Sequence, residues 1–125
     1  MMEVLLLGHP KSPTTRKAQR WFSERRIPFH DRDLRKRPAT PNELRRWVDA
    51  YGPDAVADAE SRPYKEQGLS YLSADVEDWL ERFVAEPLLL RLPLIRYGRL
   101  LAVGDDEDGW HRIADAAREE SDVLG

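Results

Sequence analysis

"EVLLLGHPKSPTTRKAQRWF", residues 3–22, passes directly from an uninterrupted apolar run into an amphipathic segment. The run over 3–8 lacks the alternation of a half-exposed strand, so it predicts a short strand buried on both faces. After the turn-forming "HPKSP", Ser12 stands where an N-cap hydroxyl meets free amides, and Pro13 takes the first helical position, where a missing N–H is harmless. Ala18, Trp21 and Phe22 then recur at spacings of three and four, marking the helix face that covers the strand. Pro28 is expected to end this helix.

Working outward, "PFHDRDL" predicts a second strand around 28–33, alternating Phe29, Asp31 and Asp33 with His30 and Arg32. Strand, helix and strand joined by a right-handed crossover make a parallel pair. Thr40-Pro41-Asn42-Glu43 is a capping box, and Leu44, Trp47, Val48 and Tyr51 follow on one helical face. Residues 52–69 read as a turn-rich connector containing a short helix. Ser73 is the expected cap of a further helix carrying Val76, Trp79, Leu80, Phe83 and Val84. "LPLIRYGRLLAVG" predicts two strands joined at Tyr97-Gly98-Arg99 as a hairpin, and a last helix places Trp110, Ile113, Ala114 and Ala117 together. The order β-α-β, helices, β-β-α predicts an α/β fold with a thioredoxin-like mixed sheet and a helical insertion. One domain is expected over 1–125, with 1–38 and 90–125 as the thioredoxin-like core and 39–89 as the insertion.

Composition narrows the chemistry. The 125 residues include no cysteine, which excludes a protein thiolate or disulfide, and the chain is long enough to fold on a single core without either. No apolar run approaches the ~18–20 residues of a membrane span, and "MMEVLLLGHP" lacks a basic n-region, so the cytoplasm is the expected location. Charge is uneven: residues 1–50 hold 12 Lys or Arg against 6 Asp or Glu, and the remainder 8 against 17. The densest basic cluster, "RDLRKRP" at 32–38, has no interleaved aromatics, so direct nucleic-acid binding is not expected. No set of His, Asp and Glu has metal-ligand spacing, and "GDDEDG" at 104–109 lacks the distal Glu of a calcium loop. Its acidic residues suit the start of a helix.

Taken together, "SPTTRKAQRWF", "IPFHDRDL", "TPNELRRWV", "SRPYKEQGL" and "LLLRLPLIRYGRLLAVG" resemble, in order and spacing, the family of the ArsC-type arsenate reductases and the Spx regulators. The resemblance spans nearly the whole chain. It implies that Ser12 and Thr15 occupy the two positions of a Cys-x-x-Cys or Cys-x-x-Ser motif, and that Pro93 is a cis-proline facing the first helix. It also implies that Arg62, seven residues before Leu69, matches one oxyanion-binding arginine. The other arginines map poorly: Leu92 precedes the proline with Arg91 one place earlier, and Asp105 follows Gly104 where the reductases have Arg.

A serine hydroxyl has no accessible anion near pH 7 without a general base, and it cannot form the disulfide that recycles a thiol reductase. His9 lies three residues before Ser12 but across a strand-to-loop junction, a poor placement for a base. Ser12 and Thr15 are therefore read as degenerate motif positions. Helix-start amides, the hydroxyls of Ser12, Thr14 and Thr15, the cations Lys11, Arg16, Arg62 and Arg91, and Pro93 remain candidates for an oxyanion pocket. No metal or cofactor is expected. The leading expectation is a redox-inactive binding or regulatory module, with a protein partner that by analogy with the Spx branch would be RNA polymerase. The alternative is a thioredoxin-fold enzyme using an external thiol such as glutathione, arsenate reductase-like or transferase-like.

Overall fold

The computed structural model describes residues 3–71 and 74–124. It divides into two compact units, one running up to Asp33 and resuming at Leu92, the other spanning Leu34–Arg91.

The first unit carries the sheet. Strand β1 (Val4–Gly8) pairs in parallel with β2 (Phe29–Asp33), and antiparallel with β3 (Leu94–Tyr97), which pairs antiparallel with β4 (Leu100–Val103). The spatial order β2-β1-β3-β4 is that of a thioredoxin-like sheet. Continuous apolar sequence in β1 has its expected cause: Val4, Leu6 and Leu7 are buried, as a strand flanked on both sides requires. Helices α1 (Pro13–Glu24) and α6 (Glu107–Leu124) supply Ala18, Trp21, Phe22, Trp110, Ile113 and Ala114 to one core with Val4, Leu6, Ile95 and Ala102. Trp21 meets Phe22 and Trp110 edge-on, with ring centroids 4.9 and 5.7 Å away, the arrangement aromatic quadrupoles favour. Ala117 is only partly buried. The hairpin turn is Gly98-Arg99, with Gly98 at φ +58, as a two-residue turn with glycine first requires.

The end of α1 departs from expectation. Helical structure stops at Glu24, well before Pro28, through a Schellman arrangement: the Ile27 amide donates to Phe22 O and the Arg26 amide to Ser23 O, each at 3.0 Å. Arg26 takes the left-handed position, at φ +57, that glycine usually fills. The burial of Ile27 beside Phe22 in the core holds the turn in place of a proline stop.

In the second unit, α2 (Pro41–Tyr51) starts at the Thr40 capping box, both reciprocal bonds being present. Leu44, Trp47 and Val48 are buried, but Tyr51 is 42 % exposed, because it lies on the final turn, next to the Gly52 C-cap. The connector holds two short helices, α3 (Pro53–Val56) and α4 (Arg62–Glu66), rather than one. Helix α5 (Val76–Ala85) is capped by Asp75, whose carboxylate accepts from the Asp78 amide. Ser73, the expected cap, lies outside the described residues. The buried stripe of α5 is Trp79, Leu80 and Phe83; Val76, in the first turn, is exposed and Val84 half-buried. Arg45 of α2 and Glu77 of α5 meet at 2.7 Å, and the guanidinium holds the Glu77 carboxyl below its ordinary range. The segment after α5 returns to α3: Arg91 N–H donates to Val56 O and Asp58 N–H to Leu89 O, each at 2.7 Å.

Candidate functional site

Ser12, at the first motif position, is the N-cap of α1, with extended backbone and Oγ accepting from the Thr15 amide at 3.1 Å. This is where a motif thiolate would accept the same proton donor. The surrounding amides are also engaged. Lys11 N–H donates to His9 Nδ1 at 3.0 Å, Ser12 N–H to His9 O at 3.0 Å, and Arg16 N–H to Ser12 O at 3.3 Å. Pro10 and Pro13 have no N–H, so between His9 and Arg16 only the Thr14 amide lacks a partner among the described residues. A helix start binds an anion through its free donors, and this one keeps a single free backbone donor.

Thr15, at the second motif position, faces the opposite way. It is 2 % exposed, its Oγ1 accepts from His9 N–H at 3.5 Å, and its methyl lies against Gly8 so closely that a Cβ at Gly8 would overlap it. Glycine at the end of β1 is thus a packing requirement of the helix that follows. Thr15 is a core residue and not a ligand-facing hydroxyl.

The cations are largely committed to local partners. Arg16 Nη1 donates to Pro10 O at 2.5 Å. Lys17 is ion-paired: its ammonium lies 3.0 Å from both oxygens of Asp105 and 3.2 Å from Glu107, and Asp105 first, then Glu107, hold its pKa above the ordinary lysine value. Lys11 is exposed. In the second unit, Arg62 is exposed and its Nε donates to Glu66 Oε1 at 2.6 Å, while Arg91 donates through Nη2 to Ala57 O at 3.3 Å.

Pro93 follows a cis peptide bond, as the resemblance implies, and is buried. Its carbonyl accepts from Gly104 N–H at 2.9 Å, which brings the cis-proline loop beside the turn that carries Asp105. A carboxylate therefore stands beside the cis-proline loop, and it takes up the nearby lysine charge. No group of His, Asp and Glu able to hold a metal occurs among the described residues.

Sequence reasoning passed over a second feature. His9, Pro10, Arg16, Gln19, Asp31 and Asp33 line a cleft of ≈ 250 Å³ at the ends of β1 and β2. The alternation of β2 was its only signal, since residues 29, 31 and 33 pair with 4, 6 and 8 on the face covered by α1.

With this geometry in view, comparison with known proteins is decisive. A model of the ArsC family matches residues 7–113. The chain belongs to the ArsC family. It is 30% identical over 97 residues to the global transcriptional regulator Spx 2 of Oceanobacillus iheyensis, covering 76% of this chain and 72% of that one. To the global transcriptional regulator Spx of Bacillus subtilis it is 28% identical over 112 residues, covering 88% and 86%. Among solved structures, an ArsC family related protein from Bacteroides fragilis superposes with a TM-score of 0.79 at 24% identity, over 90% of this chain and 99% of that one. This ArsC family chain therefore has the family's fold, with its own cis Leu92-Pro93 bond and no cysteine. No helix among its described residues is long and apolar enough to cross a membrane.

Proposed function

We propose that this ArsC family protein is redox-inactive and works in the cytoplasm as a binding and regulatory module, in the manner of the Spx regulators it resembles. One observation carries the reading: the motif loop spends its donors internally, with Ser12 capping the helix and Asp105 holding Lys17, so nothing there is poised to attack or activate an oxyanion. The residual oxyanion pocket shrinks on this reading to the Thr14 amide and exposed Lys11.

The partner we infer is RNA polymerase, by analogy with the Spx relatives named as global transcriptional regulators. On α1, Arg20 is exposed and makes no hydrogen bond or ion pair among the described residues. Arg25, by contrast, lies 3.9 Å over the Trp21 ring and donates to Trp21 O, so reversing its charge would disturb the fold itself.

The test pairs two assays on the purified protein. Arsenate reduction is measured with glutathione and glutaredoxin, and binding to bacterial RNA polymerase by co-elution, with Arg20→Glu as the surface variant. Expected are no turnover and co-elution weakened by the variant. Turnover that depends on glutathione would overturn the reading in favour of an external-thiol enzyme, and absence of co-elution would remove the polymerase from it.

A further inference from the structure

His9 is tied into the motif loop at three points, and one of the ties runs through a titratable ring. Its amide donates to Thr15 Oγ1 at 3.5 Å, its carbonyl accepts from the Ser12 amide at 3.0 Å, and its Nδ1 accepts from the Lys11 amide at 3.0 Å. The side chain is only 8 % exposed, so the third bond is held in a nearly buried position. Only an unprotonated ring nitrogen can accept a backbone N–H, which places the proton of the neutral imidazole on Nε2.

Imidazole ordinarily changes charge between about pH 5 and pH 8, and in the imidazolium both nitrogens are donors. A proton on Nδ1 would then oppose the Lys11 N–H across 3.0 Å. Turning the ring over does not restore the bond, since it puts Cδ2 where Nδ1 stood. The charged groups that line the same cleft as the ring are Arg16 from α1 and Asp31 and Asp33 from β2, and Lys11 lies two residues on in the loop. Arg16 is anchored through Nη1 on the Pro10 carbonyl, and Asp31 accepts from Gln19 Nε2. The cleft thus presents carboxylates as well as a guanidinium to the ring. The two remaining ties end on a carbonyl and a hydroxyl, neither of which changes charge.

We propose that His9 is a pH-sensitive latch on the motif loop: the neutral ring holds the Lys11 amide, and a proton taken from water onto Nδ1 releases it. Release gives the start of α1 two free backbone donors, those of Lys11 and Thr14, in place of one. The latch uses no thiol, and it stands or falls separately from the binding-module function.

The experiment is an NMR titration of the full-length protein from about pH 8 to about pH 5, following the ring nitrogen shifts of His9 and the shift and solvent exchange of the Lys11 amide. At the alkaline end the ring is expected to carry its proton on Nε2 alone. As it takes up the second proton, the Lys11 amide is expected to shift with the same midpoint. Its exchange should then be about three- to tenfold faster, after correction for the intrinsic pH dependence, as the loss of one hydrogen bond implies. The Ser12 amide, whose acceptor is a carbonyl, should change less. His9→Asn keeps an acceptor for the N–H two residues on and has no charge to change, so its Lys11 amide is expected to stay protected across the range. His30 and His111 remain in that variant and control for their own titration. A Lys11 amide unmoved while the His9 ring titrates, or moving with a different midpoint, would overturn the proposal. So would a ring that keeps one charge state throughout, or an equal response in the folded Asn variant.

Discussion

Lys17 on α1 and Asp105 ahead of α6 are joined by two contacts, Nζ standing 3.0 Å from each carboxylate oxygen, with Glu107 at 3.2 Å completing the cradle. The pair links helices that are distant in sequence, and it places a carboxylate where the family resemblance implies an arginine. Asp105 is the first cause of the raised Lys17 pKa. A cation whose pKa is raised on folding stabilises the protein while the unfolded lysine is still protonated, below about pH 10.4. That contribution is lost as pH climbs through the folded value. The Tm advantage of wild type over Lys17→Met is therefore expected to be constant from neutral pH to about pH 9.5 and to shrink above about pH 10.4. Parallel Tm curves throughout would show that the pair adds nothing to stability, as is common for exposed ion pairs.

Arg26 occupies the left-handed position of the Schellman turn that ends α1, at φ +57. An L-residue there costs roughly 1–2 kcal/mol relative to glycine. Arg26→Gly is expected to raise the unfolding free energy by about 1 kcal/mol, the gain being reduced by glycine's greater freedom in the unfolded chain. Urea unfolding measures it. A loss of stability would mean that the arginine side chain contributes more than its backbone costs.

Much of the fold could be read locally. The caps at Ser12 and Thr40, the prolines behind them and the apolar spacing of α1 and α2 each act within a few residues, and the structure has them as expected. Failures occurred where the deciding partner is remote or the conformation unusual. The helix stop at Arg26 depends on Ile27 entering the core, and Pro28 downstream was a plausible but unused terminator. Lys17 and Asp105 are separated by 88 positions, so nothing local marks them as a pair. The direction of the Thr15 side chain is non-local in the same way. Ser12 was correctly placed as a cap, but the inward turn of Thr15 follows from its contact with Gly8 across the loop, and a motif alignment gives residue type without direction.

That contact has a measurable consequence. A Cβ at Gly8 would overlap the Thr15 methyl and stand only 3.0 Å from its Oγ1 and 3.2 Å from Leu6 Cδ2. Gly8→Ala is expected to cost about 1–3 kcal/mol, the usual range for overpacking a filled core. Thr15→Ser removes the offending methyl while keeping Oγ1 for the His9 amide, so the double variant should recover part of that loss. A double-mutant cycle by chemical denaturation gives the coupling. Additive effects would show that the two residues do not constrain each other.

The Ser12 cap gives a direct probe of what the motif loop retains. In Ser12→Cys, the sulfur would stand where Oγ now accepts from the Thr15 amide, at the positive end of α1. Such a position lowers a thiol pKa below the ~8.5 of an unperturbed cysteine. Alkylation by iodoacetamide across pH 6–10, compared with a control Ala50→Cys on the exposed end of α2, is expected to show the lower pKa for position 12. The effect should be moderate, because the Lys11, Ser12 and Arg16 amides serve His9 and Ser12 O, leaving only that of Thr14, and the Asp105 carboxylate opposes a nearby thiolate. A thiol titrating at or above the control would mean that the helix start no longer favours an anion. The same variant is expected to show no arsenate turnover even with glutathione to resolve a mixed disulfide, since the Asp105 carboxylate near the helix start repels the oxyanion that the thiolate would have to attack.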